Sequence, residues 1–225
     1  VKVKVKQKER PKPEHQASVD IGTAYVRMTP WDASVDARSI NGKWMNAMTA
    51  HGLVEENVHA IGQLVALLDE LPENSYRQCF GSRKPHVIGK HVRHIIDHYS
   101  SLLWATASGG RLLDYENRDR DLSLETDRRA GSNRLAEISQ ALRQRFEPPY
   151  SDALVMRHNS GGQSETVNTS VDRELVFLAS HSVHHMAIIG MLAEQAGAEV
   201  SADFGVHPST LRYLEKQASG LARSA

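Results

Sequence analysis

Six of the 12 histidines fall in two short stretches, at the spacing metal ligands take on helices. In Ser180-His181-Ser182-Val183-His184-His185-Met186, His181 and His185 stand four apart. On a helix such residues lie one above the other. The same face continues through Leu178, Ile188 and Leu192, the stripe that such a helix turns inward. Imidazoles among leucines need a polar partner, and a divalent ion bound through neutral ring nitrogens serves two of them at this spacing. The second stretch is Gly89-Lys90-His91-Val92-Arg93-His94-Ile95-Ile96-Asp97-His98-Tyr99. Spacings of three and four put His91, His94 and His98 on one helical face with Val87 and Ala105. A lone inward histidine is more often a satisfied core residue than a ligand, but two clusters on two helices favour a metal.

One histidine of the upstream stretch joined by His181 and His185 makes three protein ligands, and spacing does not choose among His91, His94 and His98. Three ligands with a position left to water or substrate is the pattern of a catalytic rather than a structural ion. All-imidazole ligation suits zinc, nickel, iron or copper. An ion so held polarises an oxygen, or lowers the pKa of a bound water or thiol toward neutrality. His91, His98, His184 and Glu174 are then candidates for orienting the ligands and moving protons.

These stretches require long helices to hold them. A first helix is expected from Asn41 to Leu71, stopped by Pro72, with Met45, Met48, Val54, Val58, Ile61, Leu64, Val65 and Leu68 inward. Glu56 and His59 on it form one Glu-x-x-His pair. The di-iron carboxylate pattern needs two, so both are read as surface residues or as residues behind the ligands. The second helix is expected to open near Pro85 and end at Gly109-Gly110. Leu113 to Asp121 reads as a loop whose interleaved Asp and Arg are expected to satisfy each other at the surface, with an arginine clamp for an anionic group as the alternative. A third helix fits Asp127 to Phe146, with Leu135, Ile138, Leu142 and Phe146 inward. The segments 153–159 and 165–169 flank Ser160-Gly161-Gly162-Gln163 and read as a short β-hairpin. Thr169-Ser170-Val171-Asp172 fits a capping box that opens the last long helix, running from Val171 to Gly197.

The expected fold class is therefore all-α: a four-helix bundle with a short β-hairpin before the last long helix and an extended N-terminal tail. The tail, residues 1–38, alternates Val and Lys and then becomes rich in Pro and charge; residues 39–225 form the domain. Lys+Arg 27 against Asp+Glu 27 gives no net charge, which argues against a nucleic-acid partner. A single cysteine, Cys79, excludes an internal disulfide and fits a reducing, cytoplasmic setting. No run of about 18 apolar residues points to a membrane span.

The pairing of His94-Ile95-Ile96-Asp97-His98 with His181-Ser182-Val183-His184-His185-Met186 resembles the DinB/YfiT-like family. The resemblance covers roughly residues 43–213. It is sharpest at residues 88–97, from Arg173-Glu174-Leu175 to His185-Met186-Ala187, and from Phe204-Gly205-Val206 to Tyr213. It implies a four-helix bundle that holds a divalent ion (zinc, nickel or iron) through one histidine of the second helix and two on the last. By position these are His94, His181 and His185, with His94 chosen by its place in His-Ile-Ile-Asp. It also implies metal-dependent chemistry on low-molecular-weight thiols, and a homodimer. The expected function is a metal-dependent enzyme of thiol S-transferase or hydrolase type acting on a small-molecule substrate. The alternative is a non-catalytic module in which metal or packed histidines only hold the bundle together. A hemerythrin-like iron bundle would require inward carboxylate ligands that the helices lack.

Overall fold

The computed structural model describes residues 42–82, 85–107 and 111–222; the expected tail lies outside them. Helix α1 (Gly42–Glu70) ends two residues before Pro72, which lacks the amide a further turn would need. It buries Val54, Val58, Ile61, Leu64 and Leu68 as the 3.6-residue period requires. The side chains of Met45, Met48 and His51 lie outside the described residues. Next comes a short helix that periodicity does not reveal, α2 (Glu73–Arg77). Its Tyr76 is fully buried, and the phenol donates to the Leu124 carbonyl at 2.6 Å.

Helix α3 (Ile88–Ala107) opens three residues after Pro85, not at it. Phe80 and His86 pair in an antiparallel bridge across this connection, so Pro85 belongs to an extended segment. Strand β1 (Leu112–Asp114) follows, and here the expectation of a continuous loop from Leu113 is corrected. A 3-10 helix (Leu122–Glu125) and helix α4 (Arg128–Arg145) come next. Asp127 caps α4 by accepting from the Ala130 amide at 2.9 Å, and Arg143 and Arg145 lie in the last turn, where the helix dipole favours cations. Leu135, Ile138, Leu142 and Phe146 are buried, as their spacing predicts.

Strands β2 (Ala153–Ser160) and β3 (Gln163–Ser170) form the hairpin, turning through Gly161 and Gly162 at φ of 58° and 85°. The edge partner of β2 is β1, which runs parallel to it with Leu113 opposite Met156. Helix α5 (Val171–Gln195) opens with Ser170 as its cap, accepting from the Arg173 amide at 3.2 Å. The reciprocal half of a capping box is absent, because position 173 is an arginine. Thr169 instead donates to Glu174 at 2.6 Å. Gly197, at φ 84°, ends α5 in the left-handed conformation that favours glycine. Helix α6 (Pro208–Ala222) begins on a proline, whose missing amide costs nothing in a first turn.

The described residues are thus mostly helical, with one small three-stranded sheet. Helix α1 packs on α4 and α5, and α3 packs on the same two helices, so α3 and α5 are neighbours. The core between them includes Ile61, Leu64, Ile96, Leu102, Leu135, Leu178 and Ile189. Each such side chain contributes about 1.5–3 kcal/mol relative to exposure. One buried polar chain fixes the rotation of three helices. Asn57 donates to the Leu175 carbonyl at 3.0 Å and accepts from Tyr99 at 2.7 Å, and Ser182 donates to Tyr99 at 3.1 Å. Turning α3 or α5 about its axis would strand these groups without partners. Helix α5 is long and apolar enough, by composition, to cross a membrane. Its buried Glu174 and Ser182, and its packing on α1 and α3, are those of a core helix.

Candidate metal centre

The rotation set by Asn57, Tyr99 and Ser182 turns the two histidine faces toward each other. His94 of α3 and His181 of α5 bring their Nε2 atoms to 3.0 Å. Ring centres of His94 and His98 are 4.3 Å apart, those of His98 and His181 4.4 Å, and those of His181 and His185 4.7 Å. His185 also lies 4.5 Å from His94, ring to ring. Ring nitrogens of His94, His98 and His181 all fall within 4.8 Å of one another. His91 meets His185 through an Nδ1–Nδ1 hydrogen bond of 3.0 Å, and its ring stacks at 5.9 Å on that of His86. His184 is exposed, its ring edge-on to His185 at 5.2 Å.

Hydrogen bonding settles the tautomer of His98. Its Nδ1 lies 2.8 Å from the His94 carbonyl oxygen, which can only accept, so the proton is on Nδ1. The Arg118 guanidinium lies against the ring, its Nη1 3.0 Å from Nδ1 and 2.8 Å from Nε2. Tyr115 stacks on the His98 ring at 5.1 Å and donates to Glu174 at 2.9 Å. Glu174 is wholly buried; besides Tyr115 it accepts from Thr169 and, at 2.8 Å, from Arg173. Glu174 therefore anchors the loop over His98 and lies outside the imidazole cluster. Of the residues singled out from sequence, His91, His94, His98, His181 and His185 come together, whereas His184 faces outward. Glu56 pairs with Arg212 at 2.8 Å and His59 is exposed, in keeping with a surface reading of both.

Burial pushes His94, His98 and His185 down to about 3, since a charged ring is poorly solvated among these neighbours. His91 and His181 are lowered for the same reason first. In the unfolded chain the same rings titrate near 6.5. Below that pH the unfolded state binds protons that the folded state refuses, so their contribution is complete above 6.5 and is lost as pH falls toward 3. Burial raises the Asp97 carboxyl, which acts in the opposite sense at lower pH. The melting temperature of chelator-treated protein should therefore fall steadily between pH 6.5 and about 5, above the carboxylate range. Calorimetry across that interval checks it, and a flat profile would mean that the rings are solvated.

The donor set fits a divalent ion. Ligand nitrogens at about 2.0–2.1 Å from a tetrahedral zinc lie roughly 3.3–3.4 Å apart, close to the His94–His181 separation. The rings are held neutral, the form a metal requires. His94, His181 and His185 are only partly buried, which leaves an approach for an exchangeable ligand. Sequence reasoning treated the arginines of the charged loop collectively and passed over Tyr115. The signal available was an aromatic residue three positions before Arg118 in an otherwise polar run.

The chain belongs to the DinB family, whose model matches residues 45–210. It is also similar to FK506-binding protein 5 of Rhizopus delemar, with 30% identity over 109 residues. That match covers 47% of this chain and 28% of the fungal protein, so the chain spans well under half of that relative's length. Family membership and the three-histidine cluster together point to metal binding.

Proposed function

We propose that this protein is a divalent-metal-dependent enzyme of thiol S-transferase or hydrolase type, with the ion held by His94, His181 and His185 in a four-helix bundle. The observation that carries the reading is the 3.0 Å approach of His94 and His181 from separate helices, beside a partly exposed His185. His98 is the competing third ligand, with a ring nitrogen within 4.8 Å of those of His94 and His181. Against it stands Arg118, whose guanidinium lies on the His98 ring, so that an ion at Nε2 would sit beside a cation. His185 presents Nε2, which has no hydrogen-bond partner among the described residues, once its Nδ1 proton is given to His91. His91 then carries its own proton on Nε2 and serves to orient His185, as outer partners of metal-bound histidines do.

A divalent ion there supplies Lewis acidity and brings the pKa of a thiol or water near neutrality. Around it, Phe177 stacks on His181 at 5.3 Å and Tyr115 on His98, limiting water on one side. His91, hydrogen-bonded to His185 at 3.0 Å and stacked on His86, holds the His185 ring in place. The zero net charge and the single exposed Cys79 agree with a soluble, cytoplasmic protein acting on a small molecule. The test is spectroscopic. Glutathione or bacillithiol added to the cobalt-substituted protein should shift its visible bands. Silence across a panel of thiols would favour a non-catalytic, metal-stabilised module.

A further inference from the structure

Arg118 stands out among the cations near the histidines. It rises from the loop after β1, half-buried, and places Nη1 2.8 Å from His98 Nε2. Its Nε is buried and has no hydrogen-bond partner. Among the described residues it forms no ion pair. The nearby Arg93 is different: it is bonded both to Asp97 and, at 2.7 Å, to Glu125. Asp97, whose negative charge favours the Arg118 cation, is itself bonded to Arg93. A guanidinium has five donors in a planar fork, and here Nη1 lies against an imidazole ring while Nε is buried without a partner.

A half-buried guanidinium whose Nε lacks a partner carries a cost until something arrives to pair with it. We propose that Arg118 is the carboxylate-binding residue of the site, and that the molecule it serves is a small thiol bearing a carboxylate, its sulfur directed to the histidines. The thiol half rests on the function proposed above; the carboxylate half rests on Arg118 alone. Planar, two-point pairing with a carboxylate would satisfy Nε together with one terminal nitrogen, leaving the other to His98. The loop is braced for this: Tyr115 binds Glu174 and stacks on His98, so Arg118 is presented from a fixed base. Here Arg118 is a binding residue and transfers no proton.

The test compares three probes on the cobalt-loaded full chain: 3-mercaptopropionate, 2-mercaptoethanol and propionate. Calorimetry reads binding and the visible spectrum reads sulfur at the metal. The expected result is that 3-mercaptopropionate binds about 10-fold or more tightly than 2-mercaptoethanol, the scale of one charge-assisted pair. Arg118→Gln should abolish that preference while keeping metal content and affinity for 2-mercaptoethanol; Arg118→Lys should restore part of it. In the unmodified protein, propionate should compete with 3-mercaptopropionate more strongly than with 2-mercaptoethanol, a measurement that stands even if the variants fold poorly. An equal affinity for both thiols, or a preference that survives Arg118→Gln, overturns the proposal. Two outcomes separate it from the thiol reading. If both thiols shift the cobalt bands with equal affinity, the thiol reading stands and the carboxylate role falls. If no thiol shifts them but propionate binds in an Arg118-dependent way, the anion site stands and the thiol reading falls.

Discussion

Replacing His181 or His185 with alanine should leave the protein without stoichiometric metal, while His184→Ala should retain nearly all of it. The three residues lie within five positions of one another on α5, so helix propensity and local charge change alike, and only their direction differs. His181 and His185 point across to His94, whereas His184 is exposed and touches the others only through the edge of His185. Losing an orienting neighbour of a metal site typically costs 10–100-fold in affinity, and losing a ligand should exceed about 100-fold. His98→Ala decides the third ligand. If His185 is that ligand, His98→Ala should keep its metal. If the set is His94, His98 and His181, whose nitrogens cluster within 4.8 Å, it should not. Elemental analysis of protein purified without a metal-affinity column reads all four variants. Equal retention in the α5 series would sink the assignment.

The largest expected effect on stability comes from a residue with no side chain. A β-carbon added at Gly89 would sit 2.1 Å from the Glu125 carbonyl oxygen, 2.7 Å from its carbon and 2.9 Å from the Tyr76 ring. Two of those atoms are backbone and cannot rotate away. The neighbourhood is also locked, because Tyr76 donates to Leu124 and Glu125 accepts from Arg93. Gly89→Ala must therefore push the first turn of α3 off the 3-10 helix, at a cost of about 3 kcal/mol. For a chain of this size the melting temperature should drop by roughly 6–12 °C. Gly62→Ala is the control: its β-carbon meets nothing within 4 Å, so the better helix propensity of alanine should stabilise by up to about 1 kcal/mol. A Gly89→Ala melt within about 2 °C of the parent would mean that this contact can yield cheaply.

Much of this fold was legible because long amphipathic helices advertise themselves. Asp127 and Phe146, read as the limits of a helix, are the two caps of α4. The hairpin was visible in its glycine pair. Strand β1 was not, since three residues gain strand identity only by pairing with Val155, Met156 and Arg157, some forty positions later. Helix α2 is too short for a period to register. The site divides in the same way. Spacing shows which histidines share a face, but depth and tautomer are tertiary properties. His98 is singled out by the His94 carbonyl and Arg118, neither of which a helical wheel displays. The charged loop misled for a related reason. Alternating Asp and Arg suggests mutual neutralisation, and Arg118 escapes it by turning inward.

The parallel pairing of β1 with β2 reaches further than its length suggests. Side chains alternate faces along a strand, so a slip of one residue between Leu113 and Met156 would invert everything attached to the far end of β1. Tyr115, one residue beyond that end, would leave His98, and the guanidinium three positions on would be carried away with it. The Gly161-Gly162 turn itself is exposed, beyond Asn159, whose amide donates to Glu116 of the same loop at 3.0 Å. Homologues and engineered variants should therefore tolerate longer or shorter hairpin tips, while an insertion or deletion between Ala153 and Arg157 would misaim the cation that faces the histidines.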